Sequence, residues 1–363
     1  MNTMKKLCVL LLLFNIARAD DIFIISQNRY VNFSPLVQNW SHDNGAAFSE
    51  VSFPVSAYVP VNQALSVNFR SNQATVSGDN LTRLAGFTDS QIGFSYYLES
   101  YGAVFNLGLN IPSGKKELTL DEYSTSYLIS FNHFNLYSPN FGQGLNVSPG
   151  LNWAYQLSDR FVIGLAASYQ YKGGFKPVDF ITEAYNPGDE IIVNAGLDFT
   201  INQTSSLSAD LIYTNYFSDK IDTSEVFASG DKFVGYLHYQ NYMGFNHMSI
   251  VARFRSKAKN SIPVLGELVE EPEKTSPNQY ELYGRYRIRM NNQTYLTFAG
   301  ELRIYDETSV YSGVYLLGGG LLPQYKLTPE LTLTGRLKYL RGSYSTGQNL
   351  SGFEIGVGMQ YNF

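Results

Sequence analysis

The last eleven residues of the chain, 353–363, read FEIGVGMQYNF. Apolar or aromatic residues occupy every second position from Phe353 to Phe363, and the positions between them are polar or glycine. A strict period of two is typical of a β-strand that has one apolar and one polar face. We therefore predict a C-terminal strand that places a large aromatic side chain beside the terminal carboxylate.

This ending resembles the C-terminal signal of bacterial outer-membrane β-barrels, in which the last strand closes the barrel. Tyr361 and Phe363 would carry that signal, and the resemblance implies that the barrel-assembly machinery is a partner. The same alternation recurs from about residue 50 to the end of the chain. The predicted fold class is all-β, a transmembrane antiparallel up-and-down β-barrel surrounded by outer-membrane lipid.

Short turns rich in Asn, Asp, Ser and Gly connect the alternating segments into hairpins. The predicted strands are 50–59, 64–72, 90–98, 102–111, 147–156, 160–171, 189–200, 205–216, 232–242, 246–257, 279–290, 294–304, 312–326, 330–341 and 351–363. Single-chain bacterial barrels have an even number of strands, so one is missing from this set. We place it within residues 22–38, with 22–25 and 30–33 as candidates. We therefore predict sixteen strands, with fourteen as the alternative.

The connections on the other side of the barrel are longer, as is usual for external loops. They are predicted at 73–89, 112–146, 172–188, 217–231, 258–278, 305–311 and 342–350. The longest, 112–146, contains Leu118, Leu120, Tyr123, Tyr127 and Phe131, and is too apolar for a freely solvated loop. Two interpretations stay open, namely a constriction or lid folded into the mouth of the barrel and a rigid external cap.

The N-terminus predicts export. Lys5 and Lys6 precede an apolar run at residues 7–14, and Ala17-Arg18-Ala19 supplies a small-x-small cleavage pattern. We predict a signal peptide at residues 1–19 and an outer-membrane barrel at 20–363, in which the segment 20–48 has uncertain structure. Cys8, the only cysteine of the chain, would leave with the signal peptide.

Composition agrees with a barrel. The chain has 28 Tyr and 24 Phe, residues that favour strands, and its mean hydropathy is −0.15. No segment after the N-terminus approaches the 18 or so uninterrupted apolar residues of a membrane helix. The net charge of −5 gives no reason to invoke nucleic acid. A soluble propeller is disfavoured because no repeating blade motif is present, and a soluble sandwich would not account for the terminal phenylalanine.

Charged residues in the C-terminal half fall on the polar face of the alternating strands. Lipid-facing Arg or Lys costs about 2–4 kcal/mol at the bilayer midplane, so we assign these side chains to the lumen. One interpretation is a cationic wall that selects solutes, and the other is a ladder of Arg and Glu that braces the barrel. The candidate lumen residues are Arg253, Arg255, Arg285, Arg287, Arg289, Arg303, Arg336, Glu281, Glu301 and Glu354.

No motif predicts an enzyme, a cofactor or a metal site. The four histidines form no triad-like pattern with a nucleophile and an orienting residue. His238 and His247 lie on facing strands, but two histidines without a nearby carboxylate make a poor metal site. The acidic stretch at residues 267–273 lacks the spacing of a calcium loop, so we interpret it as a solvated loop.

Several segments resemble a family of outer-membrane transporters grouped with the meta-pathway phenol-degradation proteins. The resemblance rests on LAGFTD at 84–89, SYYL at 95–98, NIPSGK at 110–115, GLNWAY at 150–155 and GLAASY at 164–169. It implies an outer-membrane channel or passive transporter for an unknown small solute, with hydrophobic or aromatic molecules as one class. The alternative is a structural or surface-binding barrel with a closed lumen and external loops that contact a partner.

The terminal aromatic residue generates the first testable prediction. Deleting Phe363, or replacing it with Asp, should lower the yield of folded protein, because the last strand must be recognised and paired with the first. The measurement is the fraction of protein that migrates faster on a gel when unheated than when boiled. A variant that folds as well as the parent would contradict the role of Phe363 as an assembly signal.

Overall fold

A computed structural model describes residues 29–363 of the chain. The predicted signal peptide at 1–19 and the candidate strand at 22–25 lie outside the described residues. The other candidate, 30–33, is a strand. Among the described residues, no helix is long and apolar enough to cross a membrane.

The first part of the described chain consists of short paired segments and one helix. Its strands are β1 (Tyr30–Phe33), β2 (Leu36–His42), β3 (Ala47–Ser52), β4 (Val55–Pro60), β5 (Leu65–Ser71), β6 (Gln73–Gly78), β7 (Leu81–Phe87), β8 (Ser90–Leu98) and β9 (Ala103–Ile111). A 3₁₀ turn, Glu99–Tyr101, joins β8 to β9, and helix α1 (Leu120–Ile129) follows β9.

The rest of the chain contains longer strands separated by short external ones. They are β10 (Asn146–Gln156), β11 (Phe161–Lys172), β12 (Tyr185–Asn186), β13 (Glu190–Thr200), β14 (Ser205–Tyr216), β15 (Ser218–Ile221), β16 (Ser224–Ala228), β17 (Lys232–Met243), β18 (Asn246–Lys257), β19 (Ser261–Val264), β20 (Glu267–Glu270), β21 (Gln279–Arg289), β22 (Thr294–Tyr305), β23 (Val314–Lys326), β24 (Leu331–Tyr344) and β25 (Asn349–Asn362).

These segments close into a barrel of sixteen antiparallel strands, as predicted. Each of the first four barrel strands consists of two segments, which are β1 with β2, β4 with β3, β5 with β6, and β8 with β7. The C-terminal strand β25 pairs with β24 on one side and with β1 and β2 on the other. Its pairing of Asn362 with Tyr30 and of Gly356 with Leu36 joins the two ends of the chain and completes the barrel.

The outer face of the barrel is apolar. Neighbouring strands expose Leu151, Leu165, Leu197, Leu211 and Leu237, each with 39–52% of its surface accessible. Residues on either side of these leucines face the lumen, so the alternation seen in the sequence is the alternation of the two barrel faces. A closed barrel with an apolar band is the surface expected of an outer-membrane protein.

The prediction that residues 73–89 form an external loop is wrong. The segments β6 and β7 occupy this range and form a hairpin with a tight turn at residues 79–80. Here the buried, inward residues are apolar, namely Ala74, Val76 and Leu84, whereas Arg83 is exposed. The pattern is inverted because the inner face of this hairpin packs on an apolar loop inside the barrel, so the usual polar-inward rule does not identify it.

The external connections carry a second sheet, made of β12, β15, β16, β19 and β20. The solvated-loop interpretation of residues 267–273 is wrong for Glu271, which is buried. Its carboxylate accepts hydrogen bonds from the backbone amides of Asn260 (3.0 Å) and Thr275 (3.1 Å). Backbone amides buried in a tight connection need an acceptor, and Glu271 supplies it.

Residues 112–145, here called the inserted loop, fold against the inner wall of the barrel. Helix α1 begins with a capping box, in which Glu122 N donates to Thr119 Oγ1 (3.3 Å) and Thr119 N donates to Glu122 Oε2 (3.1 Å). The Thr125 hydroxyl then donates to the carbonyl of Thr82 on β7 (2.9 Å). After the helix, Phe134, Leu136 and other apolar side chains are buried against β2, β3, β6, β7 and β22–β25.

One carboxylate ties both ends of the inserted loop to the barrel. Asp89 accepts hydrogen bonds from Gly114 N (2.9 Å) near the start of the loop and from Gln143 N (2.8 Å) near its end. It also accepts one from Asn110 Nδ2 (2.8 Å) on β9. These contacts fix the points at which the loop leaves and rejoins the wall.

We therefore predict that Asp89→Ala loosens the inserted loop while the barrel stays folded. Hydrogen bonds to a charged group are each worth about 1.5–3 kcal/mol, so losing three should raise proteolytic cleavage within 112–145 by at least about tenfold. The measurement is limited proteolysis of heat-modifiable protein, and Asp159→Ala, in an exposed turn, is the matched control. Equal cleavage rates in parent and Asp89→Ala would contradict this anchoring role.

Candidate functional site

The inner wall holds the backbone of the inserted loop through polar side chains. The Arg303 guanidinium donates to the carbonyl of His133 (3.0 Å), and the Tyr305 hydroxyl donates to the carbonyl of Asn132 (3.2 Å). Both wall residues lie on β22 and are buried. Hydrogen bonds from a strand to a loop backbone hold the chain itself in place, whatever the loop side chains are.

Side chains on two strands near the N-terminus, β2 and β3, bind the next residues of the inserted loop. Gln38 on β2 donates to the carbonyl of Asn135 (3.2 Å) and accepts from Tyr137 N (2.8 Å). Glu50 on β3 accepts from Ser138 N at both carboxylate oxygens (3.1 and 3.2 Å). The segment 132–138 is therefore clamped between strands near the N-terminus and strands near the C-terminus. Of the two interpretations of this insertion, the structure agrees with a constriction inside the barrel.

His133 lies at the centre of this contact, among aromatic side chains. Its Nδ1 is 2.6 Å from the Tyr311 hydroxyl and its Nε2 is 3.1 Å from the Tyr344 hydroxyl. Burial, together with the charges of Arg303 and His42, lowers the pKa of His133 to about 3. The imidazole is therefore neutral at physiological pH, which lets it pack beside the guanidinium of Arg303 without repulsion.

Six of the ten candidate lumen residues come together in one buried acid–base network. Its carboxylates are those of Glu281, Glu301 and Glu354, all 5% exposed or less. Its cations are Arg253, Arg303, Arg336 and Lys338, of which Lys338 was not among the candidates. The network runs along the inner face of the barrel from β18 to β25, on the side that carries the inserted loop.

Direct contacts join the members of this network. Arg303 Nη2 lies 2.9 Å from Glu301 Oε2, and Lys338 Nζ lies 3.2 Å from Glu301 Oε1. Arg253 forms an ion pair with Glu281, whose other oxygen accepts from the Tyr305 hydroxyl (2.8 Å). Buried charges are tolerated only when they are paired, so this part of the set has the geometry of a brace.

Glu354 links the brace to the loop clamp. Lys338 and Arg336 lie 3.9 and 3.8 Å from its Oε2. Its other oxygen accepts a hydrogen bond from Gln38 Nε2 (3.0 Å), the same amide group that donates to the loop. The charge network and the position of the inserted loop therefore depend on one another.

The other four candidates have a different environment. Arg255, Arg285, Arg287 and Arg289 are inward-facing and partly exposed, on β18 and β21. Arg255 Nη1 donates to Gln279 Oε1 (3.1 Å), and the Arg287 guanidinium lies 5.5 Å from the centre of the Tyr295 ring. Arg289 contacts the turn after β21 and the Phe245 ring (4.1 Å). These contacts of Arg255, Arg287 and Arg289 are to neutral groups, so these three arginines still present positive charge to the lumen. A selective role for them stays a prediction.

The two histidines on facing strands serve local contacts. His238 Nε2 is 2.9 Å from Ser249 Oγ, and the His247 ring stacks on Tyr242 with centroids 4.4 Å apart. Among residues 29–363, no group of three His, Cys, Asp or Glu side chains is placed to hold a metal ion. The predictions of no catalytic residues and no cofactor stay predictions.

The two residues of the terminal signal face outward. Tyr361 and Phe363 are half-exposed on the lipid side, with ring centroids 6.2 Å apart. The Phe363 amide donates to the carbonyl of Arg29 (3.1 Å), so the last residue is part of the closing seam. This position is compatible with the predicted assembly role.

Sequence reasoning missed the side chains that clamp the loop, namely Gln38, Glu50, Asn72 and Asp89. The Asn72 amide donates to the Ser138 hydroxyl. The first three face the lumen, where the alternation pattern places any polar residue. Nothing in that pattern distinguishes a side chain that contacts water from one that contacts a loop. An unusually apolar insertion was the one available signal, and it indicated the loop but not its partners.

No known family model and no curated protein matches this sequence. Solved structures of similar fold include OprB of Pseudomonas putida, with a TM-score of 0.50 and 11% identity over 93% of this chain and 94% of that chain. OpdQ of Pseudomonas aeruginosa gives a TM-score of 0.46 and 10% identity over 93% and 99%. CymD, a monoaromatic hydrocarbon channel, gives 0.46 and 12% over 93% and 89%. At such low identity, the likeness concerns the fold alone.

The two environments of the arginines predict two kinds of variant. Arg303→Met should lower the stability of the folded barrel by about 3–5 kcal/mol, because it removes a partner from buried Glu301. Arg287→Gln should change stability little and shift ion selectivity toward cations. The measurements are thermal unfolding in detergent and the reversal potential in planar bilayers, and each variant serves as the control for the other. A large loss of stability in Arg287→Gln together with unchanged stability in Arg303→Met would contradict the division into a brace and a lumen wall.

Proposed function

We propose that this protein is an outer-membrane channel for small solutes, with a passage narrowed by the inserted loop. The observation that carries the proposal is the clamp on segment 132–138, which lies inside the barrel and contacts wall residues on several strands. A segment held at this many points forms a fixed constriction. It differs from a lid, which must leave the wall to open.

The inserted loop packs on one side of the lumen, which supports a passage on the other. The wall residues that pack against its apolar side chains come from β2, β3, β6, β7 and β22–β25. The inner faces of β11 and β14 carry short polar side chains, among them Ser168 and Ser208, which are partly exposed. Short polar residues leave more space than long ones and suit the passage of hydrated solutes.

Polar side chains on this wall favour polar over apolar cargo. The resemblance to the meta-pathway family points to hydrophobic or aromatic molecules, and that class stays a prediction. Outer-membrane lipid and the barrel-assembly machinery are the proposed partners, because the apolar outer face and the terminal aromatic residues suit them. We propose no catalytic role.

A structural barrel with a closed lumen is the second candidate, and the buried acid–base network favours it. In a closed barrel, Arg253, Arg303, Lys338 and the inserted loop together would fill the lumen, and no passage for solutes would remain. This candidate and the channel differ in a property that is directly measurable.

The test is conductance of the refolded full-length protein in planar bilayers, with heat-modifiable migration as the check on folding. A channel should give discrete current steps, and a variant lacking residues 131–138 should give larger steps because the constriction is gone. Liposome swelling with a neutral sugar and with phenol would then compare polar and aromatic solutes. Folded protein that gives no current above a lipid blank would reject the channel and support the closed barrel.

A further inference from the structure

Three lysines surround one tyrosine ring at the long-loop mouth of the barrel. The ammonium groups of Lys172, Lys232 and Lys257 lie 5.7, 5.4 and 5.9 Å from the centre of the Tyr216 ring. Arg255 lies two residues before Lys257 on β18 and faces the same side. We call these three lysines and Arg255 the lysine cluster. It comes from β11, β17 and β18, and Tyr216 ends β14.

The pairing register makes this crowding unfavourable. Lys232 on β17 is directly opposite Lys257 on β18, and both face the lumen. Like charges directly opposite each other on one face of a sheet destabilise the pairing. Each ammonium gains some attraction from the Tyr216 ring, but a cation–π contact at an accessible site is weak.

One carboxylate is in direct contact with the cluster, and it is already engaged. Glu190 on β13 forms an ion pair with Lys172. In the part of the chain that the structure describes, Lys232 and Lys257 form no ion pair within 4.0 Å. The carboxylates of Asp219 and Glu271 lie farther from Lys257 and accept hydrogen bonds from other groups. The cluster therefore holds four cationic side chains with one carboxylate in direct contact, in a half-buried position where charge is poorly screened.

An oxyanion is the ligand that this arrangement fits. Lysines are point charges with three rotatable donors each, so several of them can converge on one carboxylate or phosphate group. Arg255 adds a planar donor, and the rings of Tyr216 and Phe227, the latter 6.0 Å from the Lys257 ammonium, border the site with aromatic surface. An anion bound here would relieve the repulsion between Lys232 and Lys257.

We propose that the lysine cluster is a binding site for small organic oxyanions, which carry a carboxylate or a phosphate. This inference rests on the proposed function, since it places the binding site at the external entrance of the channel. A solute would meet it before the constriction, and the positive field would raise the local concentration of anions. Small anions are then the substrate class that the entrance favours.

The experiment measures binding of benzoate and of inorganic phosphate to the refolded full-length protein by calorimetry at low ionic strength. The two probes distinguish a carboxylate site from a phosphate site. Saturable binding of either should weaken about tenfold in Lys232→Gln and in Lys257→Gln, since a hydrogen bond to a charged group is lost. Lys220→Gln is the matched control, because Lys220 is half-exposed on the external sheet and lies 4.0 Å from Glu225.

Thermal unfolding separates a binding site from a brace. Removing one of two opposed lysines should leave the unfolding temperature unchanged or raise it, although it weakens binding. A lower unfolding temperature with unchanged binding would overturn the proposal, as would the absence of saturable binding for both probes. If either variant fails to fold, the proposal is tested with the other variant and with the salt dependence of binding to the parent protein. Binding through this cluster must weaken as ionic strength rises.

Bilayer recordings keep this inference distinct from the proposed function. Current steps in a protein that binds neither probe would reject the anion site and leave the channel standing. Saturable binding in a folded protein that carries no current would reject the channel and leave the anion site standing.

Discussion

The closed ring of backbone hydrogen bonds is the constraint on which this structure depends. In hydrocarbon, an unpaired backbone N–H or C=O costs several kcal/mol, so a membrane sheet must have no free edge. The pairing of β25 with both β24 and the first barrel strand removes the last edge. Every other feature follows from that closure, because it creates one face that contacts lipid and one that is hidden from it.

The hidden face collects polar and charged side chains, and the protein uses them in two ways. On the side of β22–β25, Glu301, Glu354 and their cationic partners pair with each other and hold the inserted loop through Gln38 and Arg303. On the side of β11, β13, β14, β17 and β18, lysines face the lumen together with the carboxylates of Glu190, Asp198 and Asp210. The same alternation therefore yields a network of buried ion pairs in one half of the lumen and a cluster of lysines in the other.

Much of the barrel could be predicted from the sequence because its signals are local. The period of two, the short turns and the terminal aromatic residue each involve residues a few positions apart. They predicted the fold class and the sixteen strands. The same local rule failed at β6 and β7. The inward residues of these two strands are apolar because they pack on the inserted loop and do not contact water.

Outside β6 and β7, the sequence by itself determined which residues face lipid and which face the lumen. It also determined that an apolar insertion of unusual length lies between two strands. Only the tertiary structure decided that this insertion enters the barrel, that Glu301 shares Arg303 and Lys338, and that Lys232 is opposed to Lys257. The physical reason is sequence distance. Arg303 and His133 are 170 positions apart, and closure of the barrel brings them within 3.0 Å. A contact between such distant residues has no local pattern, because it exists only after the chain has joined its own ends.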